Sequence, residues 1–547
     1  MQGATLSRPG GADHVRTSRR RDVRTLPWAR IALAGLCLAA LAGYFAFPTY
    51  PTYDSFYALL WGRDVLHLTP PDFGVYRGPT EHPLAIAFGV LCSLFGQGGA
   101  RLMVLGSILS FVALVAGIYR LTRLCFGTVV AALAALLMLS RLFDANLAAQ
   151  GYLDITFIAL IVWATALEVQ RTRWGTPVFA LLAAAGLLRP DAWVLSGAYW
   201  LWCAWPAAAA VLSARRETPP PTSGAEGAAG ATGTRSAEVR GGPAGSPPSL
   251  GRLLGYAALV AGAPLIWIAC DTAVTGDPLY SLHSTAVLAA ELERTQGFGA
   301  VLSDTWRYLV RIDKAPVVIG GIAGIAIGVL LTPRRSRVPL ATLSLLLLVY
   351  VGEGAGGASV IDRYMLGTAA MLLPFCALAI GGWSLLERGS LLRRVWMAAG
   401  AALVLYGAIA AVSVTSLGNA RTQLSYQDDF TRGLAAALHA PAVRAELRRC
   451  PVLTLPDNKL IPAARWILNT RDQHDILARS EARADLDAGR PALARRIEHA
   501  SVGVYPLGAA VFKEAIVDIG DAPLVQAPPP GFRRIYTGRY YAIYGNC

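Results

Sequence analysis

The reading of this chain turns on residues 29–84. They open with ARIALAGLCLAALAGYFAFP (29–48), continue through Tyr50-Pro-Thr-Tyr-Asp54-Ser-Phe-Tyr57 and Gly62-Arg63-Asp64, and close on Gly78-Pro-Thr-Glu81-His82-Pro83-Leu84. The first segment is apolar over about 20 residues, the length a helix needs to cross a bilayer. It ends in Phe-Pro-Thr-Tyr-Pro without a small-x-small cleavage site, so an uncleaved first span is expected rather than a signal peptide. The residues after it are polar, aromatic and acidic, as befits a segment lying at a membrane surface.

The pattern repeats along the chain. Further candidate spans are 101–120, 127–143, 152–168, 176–190, 192–212, 253–271, 316–332, 338–352, 364–386 and 395–415, about eleven in all. The run 83–95 is too short to cross and is expected to lie along the interface or re-enter. Of the 547 residues, 54% are hydrophobic and only 15% charged, against about 25% charged in a soluble domain. The mean hydropathy of +0.45 agrees. A polytopic α-helical membrane protein is the expected fold class.

Net charge is +14, which in a soluble chain would suggest nucleic acid. Here the arginines fall in short clusters between apolar runs, which argues for membrane topology and against nucleic acid. With the N-terminus inside, the loops holding Arg123, Arg171 and Arg173, the segment 213–252, Arg334 to Arg337 and Arg388 to Arg394 all fall on the cytoplasmic side. The opposite side collects acids: Asp54, Asp64, Asp72, Glu81, Asp144, Asp154, Asp191, Asp271, Asp277, Asp304, Glu353 and Asp362. Tolerance of acids in outside loops explains part of this. It explains less for Asp54, Asp154 and Asp362, which abut apolar spans where an unpaired charge is costly.

The chain thus divides into three regions: a basic cytoplasmic tail (1–28), a membrane module (29–415) and an extracytoplasmic domain (416–547). The module has a first outside loop over 49–100, and its cytoplasmic loop 213–252 carries a Gly/Ala/Pro/Ser-rich stretch expected to be disordered. In the last region 420–449 reads as helix. The runs Val452–Leu455, Val502–Tyr505, Arg533–Tyr536 and Tyr540–Tyr544 read as strands, the last two joined by a Thr537-Gly538 turn. A small α/β domain is expected. Of eight cysteines, six sit in or beside apolar segments without metal-ligand spacing; Cys450 and Cys547 bracket the polar domain, where a disulfide or two free thiols both fit.

Asp54 is open to two interpretations. A carboxylate at the membrane surface can take a proton from an incoming hydroxyl, which is general-base work. Asp followed by Ser-Phe-Tyr-Ala-Leu-Leu also reads as a helix N-cap.

A long first outside loop with an Asp just after helix one, a short juxtamembrane helix and then a His-Pro-Leu element resembles the GT-C superfamily of membrane glycosyltransferases. That group includes the protein O-mannosyltransferases, the lipid A aminoarabinose transferases and the mycobacterial arabinosyltransferases. The resemblance spans about residues 30–415. It implies that Asp54 matches the catalytic acid and that Glu81-His82-Pro83-Leu84 corresponds to the family's Pro-Pro-Leu-type segment, with one Pro missing. Gly151-Tyr-Leu-Asp154, Arg189-Pro190-Asp191, Thr275-Gly276-Asp277-Pro278 and Asp362-Arg363-Tyr364 resemble further family elements. Glu81, His82, Asp154, Arg189, Asp191 and Arg363 are thus expected to bind substrate. Several relatives carry two adjacent acids in the first loop; here Asp54 is followed by Ser55, which leaves the base and any divalent cation open.

The implied activity is inverting transfer of a sugar from a polyprenyl-phosphate donor to an extracytoplasmic glycan, lipid or protein acceptor, at the inner (cytoplasmic) membrane. Arg189 or Arg363 would hold the donor phosphate, a geometry guanidinium groups suit, although each has an adjacent acid that could occupy it instead. His82 and His283 could assist, though a lone His is usually structural. No P-loop or dinucleotide fingerprint is present. The alternative is a transporter or flippase for a lipid-linked or polysaccharide precursor.

Overall fold

The computed structural model describes residues 28–217, 249–414, 417–470, 475–499, 501–508, 511 and 528–547. The basic tail up to residue 27 and most of the 213–252 loop, with Arg235 and Arg240, lie outside the described residues.

Among the described residues, sixteen α-helices make up the first part. They are α1 (Trp28–Ala46), α2 (Tyr53–Leu66), α3 (Pro83–Ser93), α4 (Gly99–Phe126), α5 (Thr128–Ser140), α6 (Leu142–Ala149), α7 (Leu153–Gln170), α8 (Thr176–Gly186), α9 (Asp191–Glu217), α10 (Leu250–Thr275), α11 (Tyr280–Glu291), α12 (Phe298–Asp313), α13 (Ala315–Leu331), α14 (Pro333–Ala355), α15 (Leu366–Gly381) and α16 (Leu391–Val414). Each of the eleven apolar stretches forms a helix. Among the described residues, seven helices are long and apolar enough to cross a membrane, and up to nine if two bent pairs each count as one span. Helix α8, with only 11 residues, is shorter than a span.

The exposed surface explains itself only against lipid. Leu38, Leu330 and Leu405 are each more than 60% exposed, and helices α1 and α16 are scarcely buried by protein. A water-facing surface rarely offers apolar area on that scale. The reverse holds for α15, which is apolar on every side and surrounded by protein, as such a helix must be. Its close neighbour α13 approaches through glycines. A Cβ on Gly324 would sit 1.8 Å from the carbonyl oxygen of Phe375, so only glycine permits this contact.

Two helix pairs are bent at charged residues. Helices α5 and α6 meet at 57° and α12 and α13 at 106°. Arg141, at the first break, places its Nε 2.8 Å from Asp144 Oδ2 and 3.2 Å from Asp313 Oδ1, and so ties the two breaks together.

The last part is a small α/β domain. It contains α17 (Leu417–His439), α18 (Pro441–Arg449), β1 (Leu453–Leu455), α19 (Ile461–Leu468), β2 (Ile476–Ala478), α20 (Arg479–Asp487), α21 (Ala492–His499), β3 (Val502–Pro506), β4 (Arg533–Thr537) and β5 (Tyr541–Gly545). The strand order is β2-β1-β3-β5-β4. Strand β1 runs parallel to β2 and β3, while β5 runs antiparallel to β3 and β4. The four strand-like runs of the sequence all form strands and the turn at Thr537-Gly538 joins β4 to β5. The expected helix over 420–449 is divided by Pro441, which starts α18. Cys450 and Cys547 form a disulfide, with Cα atoms 6.0 Å apart.

The domain docks on α2. Arg63 Nη1 donates to Asn469 Oδ1 at 3.0 Å and its Nη2 to the Thr470 carbonyl at 2.6 Å. Gln97 Nε2 donates to the Trp466 carbonyl at 2.8 Å. Asn458 Nδ2 donates to the Tyr53 hydroxyl at 2.9 Å, and that hydroxyl donates onward to the Arg77 carbonyl. The membrane-surface helix and the polar domain therefore form one wall.

Candidate functional site

Helix α2 begins with a cap, but the cap is not Asp54. Thr52 occupies that position and accepts from the Ser55 amide at 3.4 Å. The N-cap interpretation of Asp54 is thus corrected: the tight Thr-x-x-Ser turn takes the role two residues earlier, leaving Asp54 in the first helical turn with its carboxylate uncommitted to the backbone. The same turn is stitched to the start of α7. The Thr52 amide donates to the Gln150 carbonyl at 2.9 Å and Ser55 Oγ to the Gly151 carbonyl at 2.7 Å. Gly151 has φ of +75°, a conformation glycine adopts without strain. These contacts bring Asp54 beside Asp154.

From there the charges alternate. Arg363 Nη1 lies 3.3 Å from Asp54 Oδ2 and 3.8 Å from Asp154 Oδ2. Asp154 Oδ1 accepts from Arg189 Nη1 at 2.7 Å, and Arg189 Nε donates to Asp191 Oδ2 at 2.9 Å. The result is a continuous chain, Asp54–Arg363–Asp154–Arg189–Asp191, drawn from residues more than 300 positions apart in sequence. Aromatic faces hold the guanidinium planes: Tyr364 lies 4.4 Å below Arg189 and Tyr152 lies 5.0 Å from Arg363. Side-chain exposure grades along the chain, from 10% at Asp154 and Asp191 to 28% at Asp54 and Arg363. The end that meets solvent is Asp54 with Arg363.

This chain lines a cavity of about 580 Å³, within the range that holds a small ligand or a head group. His82, Trp193, Trp267, Asp271, Ser281 and Glu353 also line it. The His82 imidazole is pushed down to about 4, first by burial and then by Arg189 and Arg363, against the upward pull of Asp54 and Asp154. At neutral pH it is uncharged, so it offers hydrogen bonds and no positive charge. Its Nδ1 is buried and has no hydrogen-bond partner among the described residues.

Of the residues singled out in the sequence, Asp54, His82, Asp154, Arg189, Asp191 and Arg363 share this cavity. Glu81 does not line it. That side chain is buried behind the wall, where Ser281 Oγ lies 2.7 Å from its Oε2. His283 stands outside as well, exposed and paired with Asp277 at 2.7 Å. The disulfide cysteines lie in the polar domain, apart from the cavity lining.

Among the lining residues not visible as such in the sequence are Asn458, Lys459 and Arg294. Asn458 and Lys459 come from the turn after β1, and Arg294 from the segment after α11. The first two had a faint signal, a Pro-Asp-Asn turn directly after a strand-like run, and ligands do favour the carboxyl ends of strands. Among the described residues, neither Lys459 nor Arg294 is engaged in an ion pair, whereas Arg77, Arg189 and Arg363 all are.

Three carboxylates against two guanidinium groups leave the chain itself one negative charge in excess. A divalent cation does not fit these donors as they stand, because Asp54, Asp154 and Asp191 each direct oxygens to arginine. Among the described residues no group of three His, Cys, Asp or Glu side chains gathers to hold a metal.

Comparison with known proteins agrees with this architecture. Residues 81–216 match the family described as dolichyl-phosphate-mannose-protein mannosyltransferase. The crystal structure of ArnT from Cupriavidus metallidurans bound to undecaprenyl phosphate aligns at 12% identity with a TM-score of 0.50, covering 95% of this chain and 98% of that one. The same protein in the apo state aligns at 13% identity with the same score and coverage. The apo oligosaccharyltransferase of Archaeoglobus fulgidus aligns at 14% identity and a TM-score of 0.47, covering 95% and 74%. No curated protein matches the chain by sequence. This is thus a multi-pass membrane protein with a small C-terminal α/β domain, and its fold is similar to that of ArnT.

Proposed function

We propose that this chain is a membrane glycosyltransferase that moves a sugar from a polyprenyl-phosphate carrier to an acceptor outside the cytoplasm, with Asp54 as the general base. The observation that carries this reading is the position of Asp54. It ends a buried chain of ion pairs and is the carboxylate of that chain most open to the cavity, at the start of a helix lying against the polar domain. A family profile over residues 81–216 and a fold relative solved with undecaprenyl phosphate point to the same class of donor.

The reaction balances on these groups. The acceptor hydroxyl gives its proton to Asp54 as its oxygen attacks the anomeric carbon. The bond from that carbon to the phosphate oxygen breaks on the opposite face, inverting the centre, and the polyprenyl phosphate leaves with the electron pair. Arg363 Nη1 serves both Asp54 and Asp154, and among the described residues its other donors have no acceptor, which leaves them for a phosphate oxygen. Its charge is already balanced by those carboxylates. A phosphate therefore needs further positive charge, which Lys459 and Arg294 supply. At about 4 Å and an effective dielectric of about 20, each such contact is worth about 4 kcal/mol before desolvation.

In this reading the cavity and the C-terminal domain face outward from the inner membrane, with the N-terminus and the arginine-rich loops in the cytoplasm. A cysteine placed at Tyr280 then labels from outside in intact cells, and labelling only after lysis overturns the orientation. Nothing in the cavity favours the transporter alternative. Its charged groups sit at helix ends beside the polar domain rather than along a path through the spans. The direct test is gene deletion followed by analysis of surface glycans and glycolipids. Loss of one sugar, restored by the wild-type gene and not by Asp54→Asn, supports the reading. An unchanged envelope refutes it.

A further inference from the structure

Glu81 and Asp271 face each other across a single hydroxyl. Ser281 Oγ is 2.7 Å from Glu81 Oε2, 2.8 Å from Asp271 Oδ1 and 2.7 Å from Trp267 Nε1. Glu81, Asp271 and Ser281 are all buried, none more than 4% exposed. An indole N–H only donates, so Trp267 occupies one lone pair of the serine oxygen. The hydroxyl has one proton to give. With both carboxyls ionised, one of them would face the Ser281 oxygen with no proton between the two, a costly arrangement for groups this buried.

A single extra proton removes the conflict, and the geometry says where it goes. Asp271 accepts twice, from the Ser281 hydroxyl on Oδ1 and from the Ser281 amide on Oδ2 at 3.0 Å. Two donors on two oxygens mark it as the ionised member. We infer that Glu81 is a neutral carboxylic acid that donates to Ser281, and that this buried proton fastens the start of α3 to α10 and α11, fixing the cavity wall that carries His82, Trp267, Asp271 and Ser281. The pattern is then complete: Glu81 O–H to Ser281 Oγ, Trp267 N–H to Ser281 Oγ, Ser281 O–H to Asp271.

The surroundings act in the same direction. Among the described residues no Lys or Arg pairs with either carboxyl. Burial, with Asp271 adding to it, pushes the Glu81 carboxyl up to about 7, against the Ser281 bond and a backbone bond that lower it. The titratable neighbours are Asp271 from α10, Tyr280 from α11, whose hydroxyl donates to the Phe73 carbonyl at 3.0 Å, and the adjacent His82, whose ring stands edge-on to Trp267. None supplies positive charge at neutral pH. Glu81 is therefore a positioning residue that acts through Ser281 and does not touch the ligand.

The assignment holds whatever the cavity binds, and testing it needs no turnover. The full-length protein in detergent is compared with Glu81→Gln and Asp271→Asn by infrared pH-difference spectroscopy and by thermal melting. A neutral glutamic acid gives a carboxylic-acid carbonyl band that disappears as pH rises through about 7; it is expected in wild type and absent in Glu81→Gln. Glutamine offers an N–H in place of the acid O–H, so Glu81→Gln keeps the wild-type melting temperature at about pH 5.5 and loses the decline toward about pH 8.5. Asp271→Asn has one acceptor where two are needed and melts lower throughout. An acid band that survives Glu81→Gln overturns the inference. So does the reverse ranking, with Asp271→Asn tolerated and Glu81→Gln destabilised or unable to fold, because the proton would then belong to Asp271.

Discussion

Substituting Gly89 by alanine tests how tightly the geometry of Asp54 depends on the packing of α2 against α3. A Cβ at Gly89 would lie 2.1 Å from the carbonyl oxygen of Ala58 and 2.9 Å from its carbon. Gly62 faces the same contact from α2, where a Cβ would lie 2.4 Å from the backbone of Gly89 and Val90. The opposing atoms are backbone, so no side-chain rotation relieves the overlap. Ordinary van der Waals contact begins near 3.4 Å, so the helices must separate by about 1 Å. Overpacking of this kind costs about 1–3 kcal/mol. Ala58 lies one turn after Asp54, and its displacement opens the 3.3 Å contact between Asp54 and Arg363. A misplacement of about 1 Å at a reacting group costs about 10²-fold in rate. Gly89→Ala is therefore expected to melt lower and to restore about a hundredth of wild-type sugar transfer in the deletion strain. Gly197→Ala is the control, since nothing lies within 4 Å of its new methyl group. Wild-type melting and wild-type transfer by Gly89→Ala would refute the claim that this contact positions Asp54.

The buried Glu81 makes stability depend on pH. Unfolded, its proton leaves near 4.5, whereas folded it is held to about 7. Between those values the folded state binds more protons, so stability falls by about 3 kcal/mol as pH rises across that window and levels off above it; chemical denaturation of wild type against Glu81→Gln over the range measures this term. Cys450→Ala opens a loop closed over 97 positions and is expected to destabilise the polar domain by up to about 5 kcal/mol, with Cys547→Ala and the double variant giving the same loss in a melting series. Arg63→Ala removes two hydrogen bonds and a stack on Trp466 at the docking face; a loss of about 2–4 kcal/mol appears as faster proteolysis of the polar domain while the membrane module stays intact.

Much of this architecture is legible in the chain because bilayer spans are long, apolar and bounded by arginine clusters. The six cavity residues quoted from the sequence, Asp54, His82, Asp154, Arg189, Asp191 and Arg363, share a legible property. Each lies at or near the end of an apolar segment, where a charge or imidazole is costly unless something uses it. What the sequence hides depends on distant partners. Nothing local distinguishes Glu81 as a buried acid from a ligand-binding carboxylate, because Ser281 and Asp271 decide it. Capping is similarly ambiguous, since Thr52 and Asp54 are both good caps two residues apart and only the backbone selects Thr52. Helices α11 and α12 lie in a stretch that reads as an outside loop, and β2 is three residues long, too short for a periodic signal. Lys459 enters the cavity only because the polar domain folds back onto α2.

The carboxylate of Asp54 is the group on which the proposed chemistry depends, and replacing it with an amide of nearly the same shape isolates that dependence. Purified Asp54→Asn, reconstituted with the sugar donor and acceptor identified from the deletion strain, is expected to melt like wild type and to transfer sugar about 10²- to 10⁴-fold more slowly. Transfer at the wild-type rate by a folded Asp54→Asn protein would contradict the account.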